Sequence, residues 1–197
     1  MPTVLAPLLL VTLLAVGCSS GESGSPTAQD PAQDPPSETE RETTSATGVD
    51  RPAPIDLTTV DVCQVVSAMP LADFGLDADR PPLAGESDLF PGAKDCFANG
   101  TTNNVSLLIV AVTDQDARSY VETANAGKSE ADAAGYPLTV LTPANPNSCL
   151  GVVDVHDEQL LYVSYGLSSP LEQPVTPQPE LCRAVPGIAT AAIGALD

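Results

Sequence analysis

Apolar positions from Ile55 onward recur at spacings that single elements explain, while most of the chain before it is polar. Val62, Val65, Val66 and Met69 stand at i, i+3, i+4 and i+7, which predicts one buried helix face over Val60–Met69. Thr58 or Thr59 is the expected cap and Pro70 the stop. Leu71–Leu76 reads as a short helical turn, and Asp77–Gly92, rich in Pro, Gly and acids, as a long loop. Lys94–Ala98 and Val105–Val112 flank a stretch that opens on Asn99-Gly100, a hairpin signal. Val105–Val112 reads VSLLIVAV, apolar almost throughout, as expected of a strand covered on both faces. Thr113 or Asp114 is placed to cap a helix reaching about Ala126, and Ala126–Gly135 reads as a small-residue loop. Tyr136–Leu141, Cys149–Val155 and Leu160–Tyr165 read as strands, the last two joined by His156-Asp157-Glu158-Gln159. A Pro-rich loop, 168–179, leads to Glu180–Leu196, where Val185, Ile188, Ala189, Ala192, Ile193 and Leu196 keep helical spacing. Pro186-Gly187 within it implies a kink, or a helix that starts at Val185.

The order is helix, hairpin, helix, strand, hairpin, helix. Hairpins imply antiparallel pairing, and interspersed helices must cover the sheet. The expected class is α+β: an antiparallel sheet of about five strands, about three helices packed on it, and two disulfides. Residues 55–197 suffice for one domain with a real core.

Two segments precede that domain. Residues 4–16, VLAPLLLVTLLAV, form an apolar run of 13. A membrane-spanning helix needs roughly 20 such residues, so the run fits the core of a secretory signal at 1–17 instead. Ala15-Val16-Gly17-Cys18 resembles a bacterial lipobox, where a peptidase cuts before a diacylglyceryl cysteine; Ala15 stands where Leu is usual. Cys18 is therefore the expected lipid attachment, and two acyl chains give stable anchoring where one is marginal. Residues 19–54 hold six Pro, six Ser, five Thr and seven acids, with Val49 the only sizeable aliphatic. Such a stretch cannot bury enough apolar area to offset its ordering entropy, so 18–54 is expected to be a lipidated cysteine and a disordered tether. A flexible coil of that length reaches about 30–36 Å.

Five cysteines are then one plus four. Cys63 and Cys182 fall in the first turn of expected helices, and Cys96 and Cys149 at the start of expected strands. Four cysteines allow three connectivities. The favoured one is Cys63–Cys96 and Cys149–Cys182, each joining a helix start to a strand start across the same separation of 33. The alternative use is metal. No Cys-x-x-Cys occurs and His156 is the only imidazole, so neither zinc nor another cofactor is expected.

The lipobox cysteine, the Ser/Pro/acidic tether, Asp61-Val62-Cys63 at a helix start, Cys96 followed by Phe97, Cys149 opening a hairpin and Cys182 opening the last helix form one pattern. It resembles an actinobacterial lipoprotein family known as domain of unknown function 3558, over about residues 18–197. The resemblance implies no catalytic residues. The folded part is also loosely similar to the extracytoplasmic sensor domains of mycobacterial serine/threonine kinases.

Charge and motifs narrow the chemistry further. The chain carries 7 basic and 26 acidic residues, a net of −19, which argues against nucleic acid, whose binding needs a basic stripe. The acidity favours a basic or cationic partner. His156 stands in an expected turn among Asp154, Asp157 and Glu158, no Gly-x-Ser-x-Gly elbow occurs, and no phosphate-binding glycine loop is present. Asp154, Asp157 and Glu158 are a candidate weak cation site, and Asp73, Asp77 and Asp79 read as solvated loop charge. The expectation is an extracytoplasmic, membrane-anchored monomer without enzyme activity, binding a small apolar or envelope ligand in a cleft between sheet and helices. The alternatives are a docking or sensor accessory for another envelope protein and, remotely, a hydrolase using acids alone.

Overall fold

The computed structural model describes residues 50–196; the leader at 1–17, Cys18 and the tether up to 49 lie outside the described residues. The rest is built on one antiparallel sheet. Its strands are β1 (Leu83–Glu86), β2 (Lys94–Gly100), β3 (Val105–Val112), β4 (Ala126–Ala133), β5 (Tyr136–Pro143), β6 (Ser148–His156) and β7 (Gln159–Leu167). They lie in the order β1-β2-β3-β7-β6-β5-β4. The helices are α1 (Val62–Ala68), α2 (Ala117–Thr123) and α3 (Gln178–Gly194), with a 3₁₀ turn at Leu71–Phe74. The α+β class stands, with seven strands rather than about five.

The two additional strands are the two edges. β1 falls within the expected loop 77–92 and is exposed at every residue; β4 fills the expected loop 126–135 and is mostly exposed. Neither needs an apolar alternation, because each is held by backbone pairing to one neighbour. Lys128, Glu130 and Asp132 on β4 also discourage a further strand from adding to that edge.

Local chemistry sets the other boundaries. α1 begins two residues late because Asp61, not Thr58 or Thr59, caps it: the carboxylate accepts from Cys63 N–H at 3.0 Å and Gln64 N–H at 3.2 Å. Thr58 is committed to Asp56 through both its N–H and its hydroxyl. α2 begins at Ala117 because Asp116 caps it, accepting from Ser119 N–H at 2.9 Å, and it ends before β4. Asn99 and Gly100 pair within β2, so the tight turn is Thr101–Asn104, with Asn104 at φ 53°. Gly100 is required for packing rather than turning, since a Cβ there would run into the Gly75 carbonyl. α3 runs from Gln178 to Gly194 with Pro186 inside it, so of the two readings of Pro186-Gly187 the start at Val185 is excluded.

The sheet is covered on both faces. On the broad face, Leu107 and Ile109 of β3, Leu161 and Val163 of β7, and Val153 of β6 pack with α1 and α3. α3 lies close enough over β6 that a Cβ at Gly151 would stand 2.7 Å from Val185 Cγ1. Both disulfides sit on this face. Cys63 of α1 joins Cys96 of β2 with Cα atoms 5.1 Å apart, and Cys149 of β6 joins Cys182 of α3 at 5.0 Å. On the narrow face, Val110 and Val112 of β3, Leu160 and Tyr162 of β7, and Val152 of β6 pack under α2 and Phe90. β3 supplies both cores by alternation, which is why its sequence is nearly all apolar.

Candidate functional site

The narrow face carries a cleft of about 710 Å³ between three segments distant in sequence. One wall is the 87–93 loop. Ser87 N–H donates to Ala93 O and Ala93 N–H to Phe90 O, while Phe90 N–H donates to Ser87 Oγ, so the loop closes on itself at its base. That closure turns Phe90 inward and Leu89 outward, the latter 53% exposed at the rim beside Pro91. The second wall is Thr113–Asp116, the run from β3 into α2, completed by Ser119. The third is Glu158, from the turn between β6 and β7.

An aromatic cluster forms the support beneath. Phe90 stands 5.2 Å, centroid to centroid, from both Tyr120 and Tyr162, and the two tyrosines are 5.8 Å apart, edge to face. Such pairs contribute about 0.5–1.5 kcal/mol beyond their buried area. Burial pushes both phenols above their ordinary range, so they remain neutral.

The cleft is amphipathic. Leu89, Phe90 and Pro91 supply apolar lining, and Asp114, Asp116 and Glu158 acidic lining; none of the described lining residues is basic. Hydrogen bonds from Ser119, the backbone N–H first, hold the Asp116 carboxyl below its usual range, so it stays ionised. The negative field reaches under the rim to Asp154. Burial raises the Asp154 carboxyl against the opposing pull of Arg51, and Asp157 and Asp116 add to the rise. No three His, Cys, Asp or Glu groups converge as a metal site among the described residues.

Three sequence expectations change here. Asp154 and Asp157, two of the candidate weak cation ligands, hold an internal cation: each accepts from Arg51 at 2.8 Å. The third, Glu158, lines the cleft. Asp77 is not simply solvated, since it accepts from the Thr101 N–H and hydroxyl. The expected cleft between sheet and helices is instead bounded by loops and the start of α2. His156 ends β6, where its Nδ1 accepts from Glu158 N–H at 3.4 Å.

A second, smaller groove of about 310 Å³ opens near β1 and β2, lined by Arg80, Pro81, Leu83, Phe97, Ala98 and Asn99. Leu83 is 63% exposed there.

No curated protein and no solved structure matches the chain. The family described as "Protein of unknown function (DUF3558)" matches residues 13–195, nearly the whole length, and the chain belongs to that family.

Proposed function

We propose that the protein is a lipid-anchored, extracytoplasmic, monomeric binding module without enzyme activity, and that the cleft takes a small ligand with a cationic head and an apolar body. The amphipathic cleft carries this proposal: three acidic residues and the apolar run Leu89-Phe90-Pro91 line one opening, with no basic residue among its described lining. An organic cation would neutralise the acidic side and lay its carbon stem along Leu89 and Pro91, as long basic side chains do on apolar surfaces. The apolar leader and Cys18 support the anchored, exported placement, and the polar stretch after Cys18 supports a tether. Against an acid-only hydrolase stands the placement of the raised carboxyls. Asp95 is on β2 and Asp154 on β6, with β3 and β7 between them.

The test is a titration of the full chain, purified in detergent, with spermidine, followed by calorimetry. Binding should weaken about two- to fivefold for each of Asp114→Asn and Glu158→Gln, as for partly exposed charge pairs. It should also fade as salt shortens the Debye length from about 10 Å at 0.1 M to 3 Å at 1 M. Binding indifferent to both substitutions would remove the cleft as the site. The docking alternative has its own observation, the exposed Leu83 over the Phe97 groove. Crosslinking on intact cells from Leu83→Cys, but not from Leu89→Cys, would favour it.

A further inference from the structure

Arg51 and its neighbours, in the stretch read as tether, are fastened to the domain. The Arg51 side chain is 3% exposed, and its Nε and Nη2 donate to Asp154 and Asp157, each at 2.8 Å. Its Nη1 is buried with no acceptor among the described residues. Pro52 lies against Gly135 in the β4–β5 turn, where a Cβ would meet Pro52 Cγ at 2.9 Å. Ile55 N–H donates to Val155 O at 2.8 Å, and Leu57 N–H to the buried Gln159 Oε1 at 2.6 Å. Residues 51–57 are thus a strap across the ends of two hairpins, and Arg51 is its clasp. A guanidinium so far removed from water depends on its carboxylates, because an unpaired buried charge is strongly destabilising.

The clasp and the cleft share one turn and one field. Asp157 accepts from Arg51, and Glu158, the next residue, lines the cleft. Asp154, the other carboxylate of the clasp, feels Asp116 of the cleft as well as Asp157.

We propose that the strap is a built-in competitor of the cleft: Arg51, held by Asp154 and Asp157, and a cationic ligand beside Asp114, Asp116 and Glu158 sit in one negative field joined at the 157–158 turn, so an occupied cleft loosens the strap and a fastened strap weakens the ligand. The coupling rests on the cleft taking cations, as proposed above, and it is reciprocal by thermodynamic necessity. Its consequence is a link between ligand and tether, since the strap is where the tether meets the fold.

The test is hydrogen exchange on the full chain in detergent, with and without spermidine, in wild type and Arg51→Gln. Without ligand, Arg51→Gln should speed exchange at Ile55 and Leu57 by about tenfold or more and leave β3 and β7 unchanged, as local opening does. Spermidine should speed the same amides in wild type and should bind Arg51→Gln about two- to fivefold more tightly. Unchanged exchange in Arg51→Gln would overturn the clasp. A looser strap with unchanged or weaker spermidine binding would overturn the coupling. Absence of spermidine binding in both proteins would remove the cation cleft, and the coupling with it, while the ligand-free exchange still decides the clasp. Asp157→Asn, at a half-exposed turn residue, repeats the exchange test should Arg51→Gln fail to fold.

Discussion

The two faces of the sheet are built from the same strands and differ in how they are closed. The broad face is closed by α1 and α3, whose apolar stripes run along the strands, and both disulfides pin those helices to it. The narrow face is closed by the two-turn α2 and a loop that bonds mainly to itself. A stripe that covers strands leaves only a small opening, about 230 Å³ beside the start of α1, whereas a short helix beside a loop leaves one of about 710 Å³, and the cleft is there. The broad face therefore sets the stability of the domain, and the narrow face is free to carry a site.

The strongest way to break that division is to unpin the broad face. Replacing all four cysteines by alanine removes two closures, each contributing roughly 3–4 kcal/mol on the chain-entropy model. Domains of this size have about 5–15 kcal/mol in total, so the variant should be largely unfolded in urea melts at 37 °C. Near-native stability would mean that the cores alone suffice.

A finer comparison uses one residue type on both faces. Val163 of β7 and Val110 of β3 are both 0% exposed, the first in the broad core and the second in the narrow one. Val163→Ala should cost about 2–3 kcal/mol, since helices and disulfides prevent collapse around the lost methyls. Val110→Ala should cost about 1–2 kcal/mol, because the 87–93 loop can settle onto the space. Equal costs in urea melts would mean that the narrow face is as rigid as the broad one.

The same contrast explains what the sequence made legible. α1, α3 and the central strands bury apolar side chains in fixed period, and their spacing showed in the chain. β1 and β4 bury little and are specified by pairing alone, so their small and charged residues resembled loops. The cysteine contexts, each a helix or strand start, marked which segments meet. The cleft left little trace because Phe90, Asp114 and Glu158 come from separate connections that only the strand order brings together. Arg51 was hidden for a related reason. Its ion pairs span 103 and 106 residues, and a single basic residue among prolines carries no period.

The carboxylates of the narrow face offer a smaller, signed test. The folded Asp116 value lies below its unfolded one, so its stabilisation is full above the unfolded value and is lost as pH falls through the folded one. Asp154 is shifted the other way by burial, so the folded state binds its proton more readily than the unfolded chain does. Wild type should therefore gain on Asp154→Asn as pH falls from Asp154's raised value toward the ordinary carboxylate range. It should lose on Asp116→Asn as pH falls below that range. Urea melts of the three proteins between pH 2.5 and 7 read both slopes. Slopes of the same sign would mean that Arg51, not burial, dominates at Asp154.

The smallest expected effect on stability is at the rim. Leu89 is 53% exposed, so Leu89→Ser removes little packing and should change stability by less than about 0.5 kcal/mol. Its effect on the cleft should be separable from that, because the side chain belongs to the apolar wall opposite Asp114 and Asp116. A ligand with a carbon stem would lose contact area there, and losing one or two buried methylenes costs about 0.8 kcal/mol each. Spermidine, with its tetramethylene and trimethylene stems, should then bind about four- to fifteenfold more weakly to Leu89→Ser, while magnesium should be indifferent. Equal losses for both would reduce the narrow face to a patch of charge, and a loss confined to spermidine would show that its apolar wall recognises the body of the ligand.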